Sequence, residues 1–63
     1  MKKTINGIEI NYVPSYAMEY PYICYRECDG ENYFWGAFET ESLAFDASID
    51  MSGEYIYNPE WKA

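Results

Sequence analysis

The sequence contains no histidine, and only four of its 63 residues are lysine or arginine. Without histidine, the usual base that activates a serine or cysteine nucleophile is missing. Two cysteines alone do not supply the four ligands of a structural zinc site. A glycine-rich phosphate-binding loop is also missing. We therefore expect a protein that is not an enzyme, with no catalytic residues, no metal site and no cofactor.

Long hydrophobic runs are absent as well. The first ten residues, MKKTINGIEI, have two lysines but no apolar run after them, so they do not read as a signal peptide. No stretch approaches the roughly 18 apolar residues of a transmembrane helix. The expected location is the cytoplasm, where thiols stay reduced.

Negative charge is what the sequence has in excess. Residues 4–61 hold all eleven acidic residues and a single cation, Arg26, which gives that stretch a charge of −10. This charge repels nucleic-acid phosphates and anionic lipids, so we expect neither direct nucleic-acid binding nor membrane binding. Because ordinary surfaces mix both signs of charge, the imbalance favours a basic protein as the partner.

Thirteen aromatic residues, eight of them tyrosines, accompany these acids. A chain of this length predicts one domain, residues 1–63. A domain of about 60 residues buries only roughly 60% of its unfolded surface, and each ring has about 150–250 Å² to bury. Some rings should therefore face water beside the carboxylates. We expect either a compact aromatic monomer or a small homodimer.

Two dipeptides, Asn6-Gly7 and Asp29-Gly30, are typical of the two-residue type I′ turns of hairpins. The first predicts a strand, a turn and a strand over residues 2–13. The second predicts a hairpin with strands at 20–28 and 31–38. Pro14 breaks the last strand of the first hairpin, and residues 14–19 are expected to form a loop.

A two-residue loop fixes the register of the second hairpin. It places Arg26 opposite Tyr33 and Tyr25 opposite Phe34. Continued without interruption, the same register pairs Cys24 with Trp35, Tyr22 with Ala37, Ile23 with Gly36, and Pro21 with Phe38. One face, the expected core, then carries Ile23, Tyr25, Phe34 and Phe38. The other, more amphipathic face carries Tyr20, Tyr22, Cys24, Arg26, Tyr33 and Trp35.

Residues 41–51, ESLAFDASIDM, fit either a strand or a helix. Their alternation favours a strand, whereas their Ala and Asp content favours a helix. Thr40 as N-cap and Gly53 as terminator support the helix, which we expect. Its core face would carry Leu43, Ala44, Ala47 and Met51, with Phe45 and Ile49 partly exposed.

The last segment, residues 54–58, reads as a short strand that ends at Pro59. Trp61 beyond it either plugs the core or is an exposed anchor. Cys24 and Cys28 lie about 13 Å apart if they share a strand, which is too far for a disulfide, so two free thiols are expected.

The candidate partner-binding residues are carboxylates with rigid aromatic side chains between them. Tyrosine and tryptophan are common anchors of interfaces. Asp46 and Asp50 are spaced to share a cation on a helix, but a solvated helix face is the simpler interpretation. A similar alternative applies to the whole candidate set: the tyrosines could simply fill a small core, and the acidic residues could serve only to keep the chain soluble. The full candidate set is Tyr22, Glu27, Asp29, Glu31, Tyr33, Trp35, Asp46 and Asp50.

From Phe38 to Asp50 the sequence, FETESLAFDASID, has an F-x-T-x stretch that leads into an acidic helix containing alanine. This segment is similar to the helix of many small phage proteins of unknown role. In its small size, its acidity, its tyrosine content, its sheet with one helix and its lack of an enzyme motif, the chain resembles the small inhibitors with which phages and prophages disarm bacterial defences. These are the anti-CRISPR and anti-restriction proteins. The resemblance implies a stoichiometric inhibitor that occupies the nucleic-acid site of a host protein in the host cytoplasm.

The expected fold is α+β, with a small antiparallel sheet made of two hairpins and a C-terminal strand, and one helix on one face. The expected function is binding to a basic protein that handles nucleic acid, by mimicry of nucleic acid. The alternative is a small structural or regulatory module that self-associates through its aromatic face.

Overall fold

The computed structural model describes residues 2–61. Within them the chain forms one five-stranded sheet, one α-helix and one 3-10 helix, so the α+β class is confirmed. The elements in chain order are β1 (Lys3–Ile5), β2 (Ile8–Asn11), the 3-10 helix (Ser15–Glu19), β3 (Tyr22–Cys28), β4 (Glu31–Phe38), α1 (Glu41–Asp50) and β5 (Glu54–Tyr57). Neither helix is long and apolar enough to cross a membrane.

The strand order in the sheet is β1-β2-β4-β3-β5. Three of the four pairings are antiparallel, but β2 and β4 run parallel, so the sheet is mixed and not purely antiparallel as expected. The parallel pairing arises because the chain leaves the sheet after β2. When the β3–β4 hairpin follows, it is the second strand, β4, that pairs with β2.

Both predicted hairpin turns are present. Asn6 and Gly7 have φ values of 49° and 86°, and Asp29 and Gly30 have 53° and 84°. Two successive positive φ values define the type I′ turn, which Asn or Asp followed by Gly adopts readily. The predicted register of the second hairpin holds from its turn as far as Tyr25 opposite Phe34.

Beyond Tyr25 the predicted register is wrong, because β4 contains a bulge at Trp35. Cys24 pairs with Gly36 and not with Trp35, so one residue of β4 is left without a partner. The shift also replaces the expected pairs Tyr22–Ala37, Ile23–Gly36 and Pro21–Phe38 by Tyr22–Phe38 and Ile23–Ala37. Phe38 therefore joins the face of Tyr22, opposite to the expected core face.

The apolar core lies on the sheet face that carries Ile23. The predicted core residues Tyr25 and Phe34 are partly buried against it. Residues 14–19, expected to be a loop, contain the 3-10 helix, which covers this face through the fully buried Ala17. The buried cluster consists of Ile5, Ile10, Val13, Ala17 and Ile23.

The helix α1 packs on the opposite face of the sheet, against β3 and β5. The helix begins as expected, with Thr40 as its N-cap. The Thr40 hydroxyl accepts a hydrogen bond of 3.2 Å from the backbone N–H of Leu43. Ala44 and Ser48 are its buried residues. Leu43, expected in the core, is 53% exposed, so that assignment is wrong. The buried face is centred on Ala44 and Ser48, and Leu43 lies about 100° around the helix axis from Ala44, at the edge of that face.

Candidate interaction surface

The acidic side chains all lie at the surface. Each of the eleven carboxylates is exposed. Within residues 2–61 one ion pair forms, between Lys2 and Glu9 at 3.9 Å, and both side chains are at least half exposed. Such an exposed pair contributes little. Among the described residues, ion pairs therefore compensate almost none of the negative charge of this surface.

Three of the predicted binding residues, Glu27, Asp29 and Glu31, are exposed at the tip of the β3–β4 hairpin. The Glu31 carboxylate is held in place, because its Oε1 accepts a 3.0 Å hydrogen bond from Asn11 Nδ2. Asn11 donates a second bond of 3.0 Å to the carbonyl oxygen of Asn32. In the reverse direction, Asn32 Nδ2 donates a 3.2 Å bond to the carbonyl oxygen of Glu9, so two amide side chains tie the tip to β2.

Beside the tip, the sheet face on the α1 side is only partly covered, because α1 lies mainly over β3 and β5. Two ring stacks involve β4, one near the tip and one that reaches from the bulge toward the Tyr22 end of the strand. Tyr33 stacks on Tyr12, with ring centroids 5.8 Å apart and planes 19° apart. Trp35 stacks on Phe38 at 6.3 Å and 24°. The structure therefore brings two predicted anchors, Tyr33 and Trp35, close to the acidic tip.

Tyr22, another predicted anchor, is not part of this group. It begins β3, whereas the tip follows the last residue of β3, roughly 20 Å away at the rise of a strand. Its ring meets Tyr55 and Tyr57 of β5 at 6.4 and 5.6 Å. Tyr55 in turn donates a 3.0 Å hydrogen bond to Glu41 of α1, which raises the pKa of its phenol. Tyr22 therefore packs with β5, whose Tyr55 contacts α1.

Asp46 and Asp50 are exposed on the outer face of α1. Phe45 and Ile49 next to them are also exposed, as expected. The helix thus presents an acidic surface with apolar side chains, separate from the hairpin tip. Across residues 2–61, no three cysteine or acidic side chains are grouped closely enough to hold a metal ion.

Tyr12 was not among the candidates from the sequence. It follows β2 and has a φ of 62°, a left-handed conformation that is uncommon for a bulky residue. Its side chain is 71% exposed. No local pattern around it indicates a site, because its neighbour Tyr33 reaches it only through the parallel pairing of β2 with β4.

Two open grooves adjoin the tip. One, of about 330 Å³, lies between β3, β4 and the end of α1, and its lining includes Arg26, Tyr33, Trp35 and Met51. The other, of about 230 Å³, is a polar cleft between the turns of the two hairpins. Residues lining the cleft are Gly7, Ile8, Glu9, Asn11, Gly30, Glu31 and Asn32.

The thiols of Cys24 and Cys28 are both free, and both cysteines lie on β3 as expected. Burial raises the pKa of the Cys24 thiol to about 11. A thiol with a raised pKa is almost entirely protonated at neutral pH and is a poor nucleophile. Burial, and to a lesser degree the charge of Glu54, raises the pKa of Tyr25 on the other face.

The chain matches no family model, and no curated protein or solved structure is detectably similar to it.

Proposed function

We propose that this chain is a non-enzymatic binding protein of the cytoplasm that occupies the basic site of a nucleic-acid-handling host protein, as phage-type inhibitors do. One observation carries the proposal. All eleven carboxylates are exposed, and the described residues offer them a single weak ion pair. Uncompensated charge of one sign attracts a partner of the opposite sign and speeds the encounter with it.

The hairpin tip and the open aromatic surface beside it are the proposed contact region. Glu27, Asp29 and Glu31 supply the charge that a phosphate backbone would present. Tyr33 and Trp35 supply rigid contact area, the usual source of slow dissociation in an interface. The same charge disfavours nucleic acid itself as the ligand.

A competition experiment tests this function. The purified chain is titrated into complexes of DNA with DNA-binding defence proteins, including a restriction nuclease and a CRISPR effector, at several salt concentrations. We expect displacement of DNA from one such protein at one-to-one stoichiometry, with association that slows as salt increases. Binding that leaves the DNA in place, or displacement of DNA from none of these proteins, would contradict the proposal.

Self-association is the second candidate, and the exposed apolar side chains of Leu43, Phe45 and Ile49 on α1 favour it. Asp46 and Asp50 on the same helix oppose it, because two copies would bring like charges together. A dimer through α1 should therefore become stronger as salt increases. Sedimentation velocity across a salt series distinguishes this behaviour from that of an electrostatically bound partner, whose complex weakens.

A further inference from the structure

The stacked rings of Tyr12 and Tyr33 form an aromatic platform on the part of the sheet that α1 leaves open. Tyr12 contributes a side chain that is 71% exposed. The face of an aromatic ring carries negative charge density, so it attracts a cation placed over it. An open platform in a strongly acidic chain is therefore suited to a positively charged group.

Glu31 lies at the edge of this platform. It is two residues before Tyr33 in β4, and alternate residues of a strand share a face. Asn11, the register partner of Tyr33, holds the Glu31 carboxylate through the 3.0 Å hydrogen bond. The carboxylate is thus fixed next to the rings before any ligand arrives.

A second carboxylate, Glu9, faces Glu31 across the two strands. In the β2–β4 register Ile10 pairs with Asn32 and Asn11 with Tyr33, and one further step with the same offset places Glu9 opposite Glu31. Both residues line the 230 Å³ cleft between the hairpin turns. Like charges in adjacent positions of a sheet destabilise it. Lys2, 3.9 Å from Glu9, is an exposed and weak partner, so a cation between the two carboxylates would relieve most of that repulsion.

We propose that the Tyr12–Tyr33 platform, together with Glu31 and Glu9, is a subsite for an arginine side chain of the partner. A guanidinium is planar, so it stacks on a ring and at the same time donates paired hydrogen bonds to a carboxylate. A lysine ammonium is attracted to a ring face, but it is not planar and lacks the fork of donors that pairs with a carboxylate. A nucleobase would stack equally well but brings a phosphate that the carboxylates repel. This inference rests on the proposed function, because it specifies which residue the basic partner presents.

Short basic peptides of equal charge test the subsite. The probes are acetylated, amidated hexa-arginine and hexa-lysine, and the dissociation constant of each is measured by isothermal titration calorimetry at one salt concentration. We expect hexa-arginine to bind about five- to tenfold more tightly, as one cation–π contact with a bidentate ion pair implies. In Tyr12→Asn, which keeps the Glu31 carboxylate, the preference for hexa-arginine should fall by about two- to fivefold, the share that the ring contributes.

The choice of asparagine keeps the fold intact. Asparagine adopts the left-handed conformation more readily than tyrosine, so Tyr12→Asn should be at least as stable as the wild type. The matched control is Tyr16→Asn, because Tyr16 is also exposed, at 56%, but lies on the 3-10 helix over the opposite face. This control should keep the arginine preference. Glu31→Gln should weaken hexa-arginine binding more than Asp29→Asn.

The outcomes separate the subsite from the proposed function. Equal binding of the two peptides would overturn the subsite, while displacement of DNA would still support the inhibitor. An arginine preference of unchanged size in Tyr12→Asn would also overturn the subsite, since the rings would then contribute nothing to the selectivity. A preference reduced in Tyr12→Asn, in a chain that displaces no DNA, would support the subsite and contradict the proposed function.

Discussion

The thiol of Cys24 in β3 donates a hydrogen bond to the carbonyl oxygen of Ala44 in α1, across 3.4 Å. Both residues are almost completely buried, and neither has a bulky side chain. The sulfur therefore lies directly between the sheet and the backbone of the helix. Any charge on it would have to be accommodated in an apolar space with an oxygen atom facing it.

The first prediction is a loss of stability at alkaline pH that depends on Cys24. Burial raises its pKa from an ordinary 9.0 to about 11. Between these pH values the unfolded chain has released the proton and the folded chain retains it, so stability decreases as pH rises. The loss should total about 2–3 kcal/mol, at about 1.4 kcal/mol per pH unit. Urea denaturation at several pH values measures it.

The control for this prediction is the exposed thiol of the same strand. Cys28→Ala should lose stability with pH as the wild type does. Cys24→Ala should be less stable at neutral pH, because it leaves a small cavity, but its stability should decrease less between pH 9 and 11. Identical pH profiles for all three proteins would show that Cys24 does not titrate as its burial implies.

The second prediction concerns Gly53, which follows α1. A Cβ atom on this residue would lie 2.6 Å from the carbonyl oxygen of Tyr25 and 3.6 Å from Cβ of Arg26. The backbone oxygen has little freedom to move, so Gly53→Ala must separate the end of α1 from β3. We expect a loss of at least about 2 kcal/mol of stability, in the range of overpacked sites. Thermal and urea denaturation measure it.

Ser52 provides the matched comparison. The helix ends with a Schellman motif, in which Gly53 N–H bonds to Ser48 O at 2.8 Å and Ser52 N–H bonds to Ile49 O at 3.2 Å. The left-handed residue of the motif is Ser52, with φ of 55°, and not the glycine. Ser52→Gly should therefore stabilise the protein by about 0.5–1 kcal/mol. If Gly53→Ala left the stability unchanged and Ser52→Gly decreased it, Gly53 would not be required for the close approach to β3, and Ser52 would not be strained by its left-handed conformation.

Local signals predicted much of this fold because the physics behind them is local. Asn6-Gly7 and Asp29-Gly30 specify their turns through backbone conformation alone. Thr40 specifies the start of α1 through its own hydroxyl. Gly53 does follow the end of the helix, as expected. A glycine is needed there because of its close approach to β3, however, and not because it adopts the left-handed conformation.

The bulge at Trp35, in contrast, has a local signal in the sequence. Gly36 lies inside a strand rich in aromatic residues, and a glycine in that position often marks a bulge. The ring of Phe38 occupies the space above it, since a Cβ on Gly36 would meet that ring at 3.0 Å. Recognition of the bulge would have moved Phe38 to the correct face.

Other features depend on contacts between distant parts of the chain and had no local signal. The parallel pairing of β2 with β4 joins Asn11 to Tyr33, and only this pairing brings Tyr12 to the candidate site. Likewise, the burial of Ala17 depends on where the 3-10 helix lands on the sheet. Periodicity within one element does not contain this information.

The third prediction concerns Asn58, which the sequence marked only as the end of β5. It is fully buried, and its Nδ2 donates to the carbonyl oxygens of Tyr20 at 3.1 Å and Met18 at 3.4 Å. Its Oδ1 accepts from the backbone N–H of Glu60 at 3.1 Å, and its own N–H bonds to Pro21 O at 2.7 Å. This one side chain fastens the C-terminal segment to the chain before β3.

Asn58→Ala should destabilise the protein by about 2–4 kcal/mol, because it leaves buried carbonyl groups without donors. Asn58→Asp should be worse at neutral pH, since a carboxylate would face two carbonyl oxygens at the same distances. Acidification should partly rescue Asn58→Asp and not Asn58→Ala. If the free energies of unfolding of both variants lay within about 0.5 kcal/mol of the wild-type value, Asn58 would not hold the C-terminal segment in place.

The fourth prediction separates local charge from net charge in partner binding. The triple variant Glu27→Lys, Asp29→Lys and Glu31→Lys reverses the tip of the hairpin. Its control, Glu19→Lys, Glu39→Lys and Glu60→Lys, changes the net charge equally, but these exposed residues lie near the Tyr22 end of the hairpin. Surface-immobilised kinetics, with the defence protein whose DNA is displaced as the partner, compare the two.

We expect the tip variant to associate at least about tenfold more slowly, since charges near the contact steer the encounter. The control should change the association rate by less than about threefold, through net charge alone. Trp35→Ala should leave association unchanged and speed dissociation, because a packed ring acts after the encounter. Equal slowing by both triple variants would mean that the charge acts as a diffuse field. The tip would then have no special role, and the outer face of α1, with Asp46 and Asp50, would be the next surface to reverse.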